Sequence, residues 1–285
     1  EMLTRDWSSD VCSSDLCAEG KISCDIIVLS DVTGGFDLKH IILDLVYPVS
    51  LYCICCHRFV DESMPYSLCS TCLSKLRWAN SRTCDKCGKI LGDHNPMSIC
   101  YSCREHGHSF DRGYTCAEYG MYEKEIIFNL KYRHKTHIAP IIAEIMHDRM
   151  DAVVMEEYPD VIIPVPMHVN KERRRGFNQA ALIAKAFARL EGMEYRGDLV
   201  LRSKSTRVMK RLSPEERLNN VRSAFELYEG TRRYISGKNI CVVDDIYTTG
   251  ATVDSMARLL KGAGATRVDV MTFAAGADMI KEEAI

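Results

Sequence analysis

No run in this chain approaches the roughly eighteen consecutive apolar residues of a membrane-spanning helix, so an integral membrane protein is not expected. The first twenty residues lack the basic start and apolar core of a signal peptide, which predicts a cytoplasmic protein reaching the inner face of the membrane only through partners. Positive charge is not in excess either. Against 37 Lys and Arg stand 39 Asp and Glu, a formal net charge of −2, which excludes a chain that holds nucleic acid by overall charge and leaves only local basic clusters. With 285 residues, 46% hydrophobic and 27% charged, one large domain and a small one are expected.

Periodicity is missing from residues 1–35. Ser-Ser-Asp occurs at Ser8–Asp10 and again at Ser13–Asp15, and Arg5 to Leu16 looks like translated sequencing-adapter read-through. The segment is expected to be a non-native or disordered extension, and Cys12, Cys17 and Cys24 have no pair spacing that would suit a metal. From Leu38 the chain acquires order: Leu38, Ile41, Ile42 and Leu45 mark one face of a short helix closed by Pro48.

What the chain has in quantity is cysteine, 14 residues in all. Cys53, Cys56, Cys69 and Cys72 form two C-x-x-C pairs separated by twelve residues, and Cys84, Cys87, Cys100 and Cys103 repeat the pattern 31 residues later. Four thiolates in such pairs wrap tetrahedrally around one Zn2+, and a chain without a secretion signal suits metal better than disulfides. Each unit is too short to bury a core, so two structural zinc ions are expected to supply its folding free energy. Cys55 offers a rival ligand, although the spacing favours Cys53 and Cys56; His57, His94, His106 and His108 read as solvent-facing. The ribbon is thereby assigned to residues 38–109.

Residues 110–285 have an α/β pattern. Tyr114–Tyr119 reads as a strand, Tyr122–Tyr132 and 138–154 as helices, Asp160–Pro166 as a strand broken by its prolines, and Thr266–Phe273 as a further strand. Lys131 is equally a helix C-terminal cation or a ligand contact. Lys171, Arg173, Arg174 and Arg175 crowd onto the exit loop after the second strand, where guanidinium groups suit phosphate oxygens, and an amphipathic helix follows from about Gln179. A basic segment, Arg202–Arg211, precedes a helix start at Ser213-Pro214 with Glu216 in a capping box, an arrangement expected of a lid over a polyanion.

The most informative stretch is Ile240 to Thr252. Ile240–Val243 is apolar without alternation, as in a strand buried on both faces of a parallel sheet. Asp244 and Asp245 are expected where that strand leaves the sheet, followed by Thr248, Thr249, Gly250, Ala251 and Thr252 and a helix from Val253. Hydroxyls, glycine and free N–H groups at a helix N-terminus suit a phosphate monoester. The carboxylates suit vicinal sugar hydroxyls or Mg2+ held against a pyrophosphate. A sugar with a phosphate at one end and hydroxyls at the other is implied.

This stretch resembles the phosphoribosyl-pyrophosphate (PRPP) loop of the type I phosphoribosyltransferases. Purine-salvage members carry an acid at the position of Thr248, so its hydroxyl argues against purine salvage. Taken with the twin cysteine sets, Pro164-Val165-Pro166-Met167-His168, Arg175-Gly176-Phe177-Asn178-Gln179, Leu212-Ser213 and Arg217-x-x-Asn220-Val221-Arg222-x-Ala224-Phe225, residues 38–275 resemble the ComF family. The resemblance implies an α/β fold, a type I phosphoribosyltransferase-like parallel sheet flanked by helices, joined to an N-terminal double zinc ribbon. It further implies PRPP binding with Mg2+ and a part in natural competence. There the partners would be single-stranded DNA and a competence helicase or recombination mediator. A phosphoribosyltransferase of unknown acceptor, a non-catalytic PRPP-sensing adaptor and a nucleobase-salvage enzyme are the three alternatives. Members often have Gln near the position of Met209, so the resemblance carries no lid contact over to that residue.

Overall fold

The computed structural model describes residues 51–61, 63–153, 157–203 and 224–278. The expected extension, the helix at 38–46, most of the basic segment and the capped helix at Ser213 lie outside these residues.

The 31-residue repeat is a structural repeat. Tyr52 bridges Phe59 and Thr83 bridges Ile90, each pair closing a two-stranded turn around a C-x-x-C. Within the turns Cys53 N–H donates to Arg58 O at 2.8 Å and Cys84 N–H to Lys89 O at 2.7 Å. A short helix then starts directly after the third cysteine of each set: α1, Ser70–Lys75, and α2, Tyr101–Glu105. The sharp turn needs positive φ at one place, taken by His57 (62°) in the first unit and Gly88 (74°) in the second. Only the second unit requires glycine there for a further reason. A Cβ on Gly88 would lie 2.6 Å from Gly113 O and 2.8 Å from Tyr114 Cα, because that turn is pressed against the backbone of the next strand.

That strand is β1, Arg112–Glu118, followed by α3, Met121–Tyr132, and α4, Ile138–Asp151. Next come β2, Val161–Pro164; α5, Val169–Arg175; α6, Gln179–Glu191; and β3, Glu194–Tyr195. A two-stranded antiparallel piece, β4 (Val200–Arg202) with β5 (Phe225–Leu227), precedes β6, Asn239–Tyr247, α7, Ala251–Gly262, and β7, Arg267–Ala275. Five strands form one parallel sheet in the order β1-β7-β6-β2-β3.

Ile240–Val243 is buried on both faces, as its unbroken apolar run requires. Cys241 and Val243 pack with Ile142, Met146, Ile183 and Phe187 of α4 and α6; Ile240 and Val242 pack with Met256 and Leu260 of α7. The free edge of β1 is covered by the ribbon: Trp78 bridges Ala117, and Ala79 N–H donates to Cys116 O at 2.8 Å. Pairing that edge removes a template for adding foreign strands.

Two local expectations are corrected. The strand after Asn239 does not end at Val243; it continues through Asp244 and Asp245 to Tyr247, because β7 pairs with it as far as Ala275 although β2 stops opposite Val243. Residues 169–175 form a helix rather than an exit loop: His168 accepts from Asn170 N–H as N-cap and Gly176 ends it at φ 86°.

Candidate functional site

β2 and β6 are neighbours whose following connections leave in opposite directions, from β2 through α6 to β3 and from β6 through α7 to β7. Open α/β sheets keep ligands in the crevice outside such a point. Asp244 and Asp245 lie there, on the part of β6 that extends past β2.

Because successive strand residues face opposite sides of a sheet, the two neighbouring carboxylates have different surroundings. Asp245, 3% exposed, is directed toward α3 and α6: Lys131 Nζ forms an ion pair with its Oδ2, and Gln179 Nε2 donates to its Oδ1 at 3.0 Å. Asp244 is half-buried and accepts from Asp245 N–H at 2.9 Å. Burial, then the adjacent Asp245 charge, hold the Asp244 carboxyl well above the usual carboxylate range. Burial holds the Arg202 guanidinium, at the end of β4, below its usual range, with the Asp244 charge acting against that shift.

The basic residues of α5 differ in their surroundings. Arg175 is buried, donates to Gln179 Oε1 and lies over the Tyr132 ring at 5.4 Å, so a chain of contacts runs Arg175–Gln179–Asp245–Lys131. Lys171 is coupled to the same cluster: desolvation, then Arg175, Lys131 and Arg202, push its ammonium below the usual lysine range, against Asp245. Arg173 and Arg174 are exposed, as is Lys171, and Arg174 Nε donates back to Asn170 O at 3.3 Å. The cause is helical: Lys171 and Arg175 are four apart and share a face, while the residues between them turn away.

Beyond Tyr247 the loop carries exposed Thr248 and Thr249, then Gly250 as N-cap of α7 at φ 80°, with Ala251 and Thr252 in its first turn. A Cβ on Gly250 would overlap the Tyr247 hydroxyl. Gly250→Ala is therefore expected to cost about 1–3 kcal/mol through backbone strain and displacement of Tyr247. Thermal melts of wild type and variant measure this, and an unchanged midpoint would show that the loop is not held in this shape.

The four sulfurs of each cysteine set lie within 4.8 Å of one another. Cys56 and Cys69 sulfurs are 3.6 Å apart, as are those of Cys87 and Cys100. A tetrahedron with Zn–S of about 2.3 Å has edges of about 3.8 Å, whereas a disulfide needs about 2.05 Å. Backbone N–H groups of Cys69 and Cys100 donate to the sulfurs of Cys53 and Cys84 at 3.4 and 3.2 Å, which favours thiolates. Both donor sets fit zinc. Cys55 is turned out of the first set toward Tyr122 O at 3.8 Å, and burial pushes its thiol up to about 11. His94 and His106 are exposed, as expected of surface residues. His57 and His108 are not: His57 contacts Arg133 and Lys135, and His108 stacks on Phe110 at 4.8 Å.

Family models match residues 42–104 as a double zinc ribbon domain and residues 132–284 as a phosphoribosyl transferase domain. Over 210 residues the chain is 30% identical to the DNA utilization protein YhgH of Shigella flexneri, covering 72% of this chain and 88% of that one. The chain belongs to the ComF family. Competence protein F of Haemophilus influenzae is 27% identical over 71% of this ComF chain and 88% of its own length. Competence protein ComFC of Bacillus subtilis is 27% identical over 69% and 79% respectively. Among the described residues of this ComF chain, no helix is long and apolar enough to cross a membrane.

Sequence reasoning left Lys131 undecided, counted Arg202 only within the basic segment expected as a lid, and passed over Gln179 as a site residue. Gln179 carried a signal, its place in the Arg175–Gln179 motif. For Lys131 and Arg202 the only signal was positive charge, at the end of a helix and at the start of a basic stretch, which does not say which acid each meets.

Proposed function

We propose that this ComF chain binds PRPP with Mg2+ at the crevice between β2 and β6, and serves the uptake and handling of single-stranded transforming DNA. The observation that carries the reading is the Asp244–Asp245 pair at the switch point, with Lys131, Lys171, Arg175 and Gln179 gathered on one side and the Thr248–Thr252 loop opening α7 beyond it. The loop and the helix N-terminus suit the 5′-phosphate, the carboxylates suit the ribose hydroxyls and Mg2+, and the cations suit the pyrophosphate. When bound, Mg2+ would supply charge neutralisation for the pyrophosphate, and Asp244 and Asp245 are the residues that would hold it. Lys131 would exchange its contact with Asp245 for pyrophosphate oxygens.

The DNA part of the proposal draws on the names of the relatives and on a surface next to the crevice. Tyr132 (61% exposed) and Phe128 (40%) have ring centroids 5.0 Å apart, with Arg133 over Phe128 and Lys135 and His57 alongside. Exposed rings interleaved with cations suit nucleobases, each of which has a π face to stack.

Calorimetric titration of PRPP with and without Mg2+ tests the ligand, and pyrophosphate release in the presence of bases or single-stranded DNA tests turnover. Mg2+-dependent binding is expected. Binding without release under any acceptor would favour the PRPP-sensing adaptor, and absence of binding would remove the proposal.

A further inference from the structure

The loop proposed for the 5′-phosphate is held at both ends by one short segment, His108–Phe110, that leads out of the second zinc unit. At the leading end stands Tyr247, the last residue of β6. Its hydroxyl lies 3.2 Å from His108 Nε2, and its ring meets Phe110 edge-on at 6.2 Å, with Lys89 of the second unit over the ring at 5.6 Å. At the trailing end stands Asp254 in the first turn of α7. Ser109 N–H donates to Asp254 Oδ1, His108 Nδ1 is 3.8 Å from the same oxygen, and Arg258 pairs with Oδ2 at 2.7 Å. Cys84, Cys87, Cys100, Phe110 and Tyr247 belong to one buried cluster. The His108 side chain is 5% exposed.

Two physical consequences follow. The Tyr247 hydroxyl occupies the space beneath Gly250 that any Cβ would need, so fixing that hydroxyl fixes the turn into α7. Asp254 is an acid in the first turn of the helix whose N-terminus would receive a phosphate, where a free carboxylate would repel it. Its oxygens are instead taken up by Ser109 N–H and Arg258, which leaves the amides of the turn to the ligand.

We infer that His108 and Tyr247 are positioning residues for the phosphate loop, through which the second zinc unit sets the loop in its ligand-receiving shape. The inference rests on the PRPP reading for the ligand but not for the shape of the loop. The first zinc unit has a different attachment: Asn129 Nδ2 of α3 donates to Ile54 O at 2.9 Å and Cys55 O at 3.3 Å. The two units therefore support different parts of the crevice, and α3 serves as an internal control.

The test uses the full zinc-loaded chain as wild type, His108→Ala, His108→Gln and Tyr247→Phe. Hydrogen exchange of residues 248–254 should accelerate roughly tenfold in His108→Ala and Tyr247→Phe, the scale of one lost hydrogen bond, with 121–132 and the zinc content unchanged. His108→Gln, which keeps a polar group toward Tyr247, should restore part of the protection. Affinity for ribose 5-phosphate and for PRPP should fall by the same factor, since the two share only the phosphate and the ribose. Unchanged exchange in the loop, or equal acceleration in 121–132, would overturn the inference. A loosened loop in a chain whose wild type binds no PRPP would uphold the positioning role and remove the ligand assignment instead.

Discussion

Asp244→Asn is expected to raise the melting temperature at pH 7 and Asp245→Asn to lower it, although both remove one negative charge from adjacent positions. The Asp244 carboxyl is held above its ordinary value by burial and by Asp245, so the folded chain binds its proton more tightly than the unfolded chain does. Its contribution to stability is therefore unfavourable above the folded value. That penalty fades as pH falls toward the unfolded value, so the gain from Asp244→Asn should be largest near neutrality and shrink toward pH 4. Asp245 differs in its contacts. It accepts from Gln179 and pairs with Lys131, whose side chain is 17% exposed. Removing its charge strands that ammonium and should cost about 3 kcal/mol, the low end for breaking a buried pair.

Each substitution should weaken Mg2+-dependent PRPP binding, with a loss of about 2–4 kcal/mol when both carboxylates are replaced together. Melts at pH 4, 5.5 and 7, with calorimetry beside them, separate the effects. Shifts of the same sign in both variants would contradict the arrangement of the two acids on opposite faces. PRPP binding equal to wild type would withdraw the site.

The second large effect is expected from the cysteine sets. The purified chain should contain close to two zinc ions, as elemental analysis will show. Cys69→Ser should remove one ion and Cys84→Ser the other. Apparent binding free energies of about 10–16 kcal/mol for a structural zinc exceed the net stability of most domains, so strong chelation should unfold the ribbon. The local consequences should differ. Cys69→Ser should loosen α3, which is fastened to the first unit by Asn129, whereas Cys84→Ser should loosen the turn at Gly250, which rests on Tyr247 and Phe110. A zinc content of one or none in reduced protein would remove the pairing of the sets, and identical local effects would show that the ribbon acts as one block.

The contrast between Cys53 and Asp245 shows what could be read from the chain alone. A tetrahedral thiolate site is assembled from residues close in sequence, so its spacing is nearly its geometry, and the 31-residue repeat could be recognised before any coordinates. The buried strand at Ile240–Val243 was legible for a similar reason: a run without alternation has no polar face to offer water. Where that strand ends was not legible, because its last residues are held by β7, a partner joined only after a whole helix has intervened.

The sequence by itself determined the two cysteine sets, the parallel α/β character and the order acid pair, hydroxyl-glycine loop, helix, all of which depend on local periodicity and on chemistry confined to short segments. Only the tertiary structure decided which cations meet the acids. Lys131 and Asp245 are brought together by the packing of α3 against the sheet, and Arg175 is separated from Arg173 and Arg174 by the rotation of α5. It alone also placed His108 against Tyr247, 139 residues later. Such contacts are set by how helices, strands and ribbon stack, and no spacing along the chain encodes the direction in which a side chain will reach once they do.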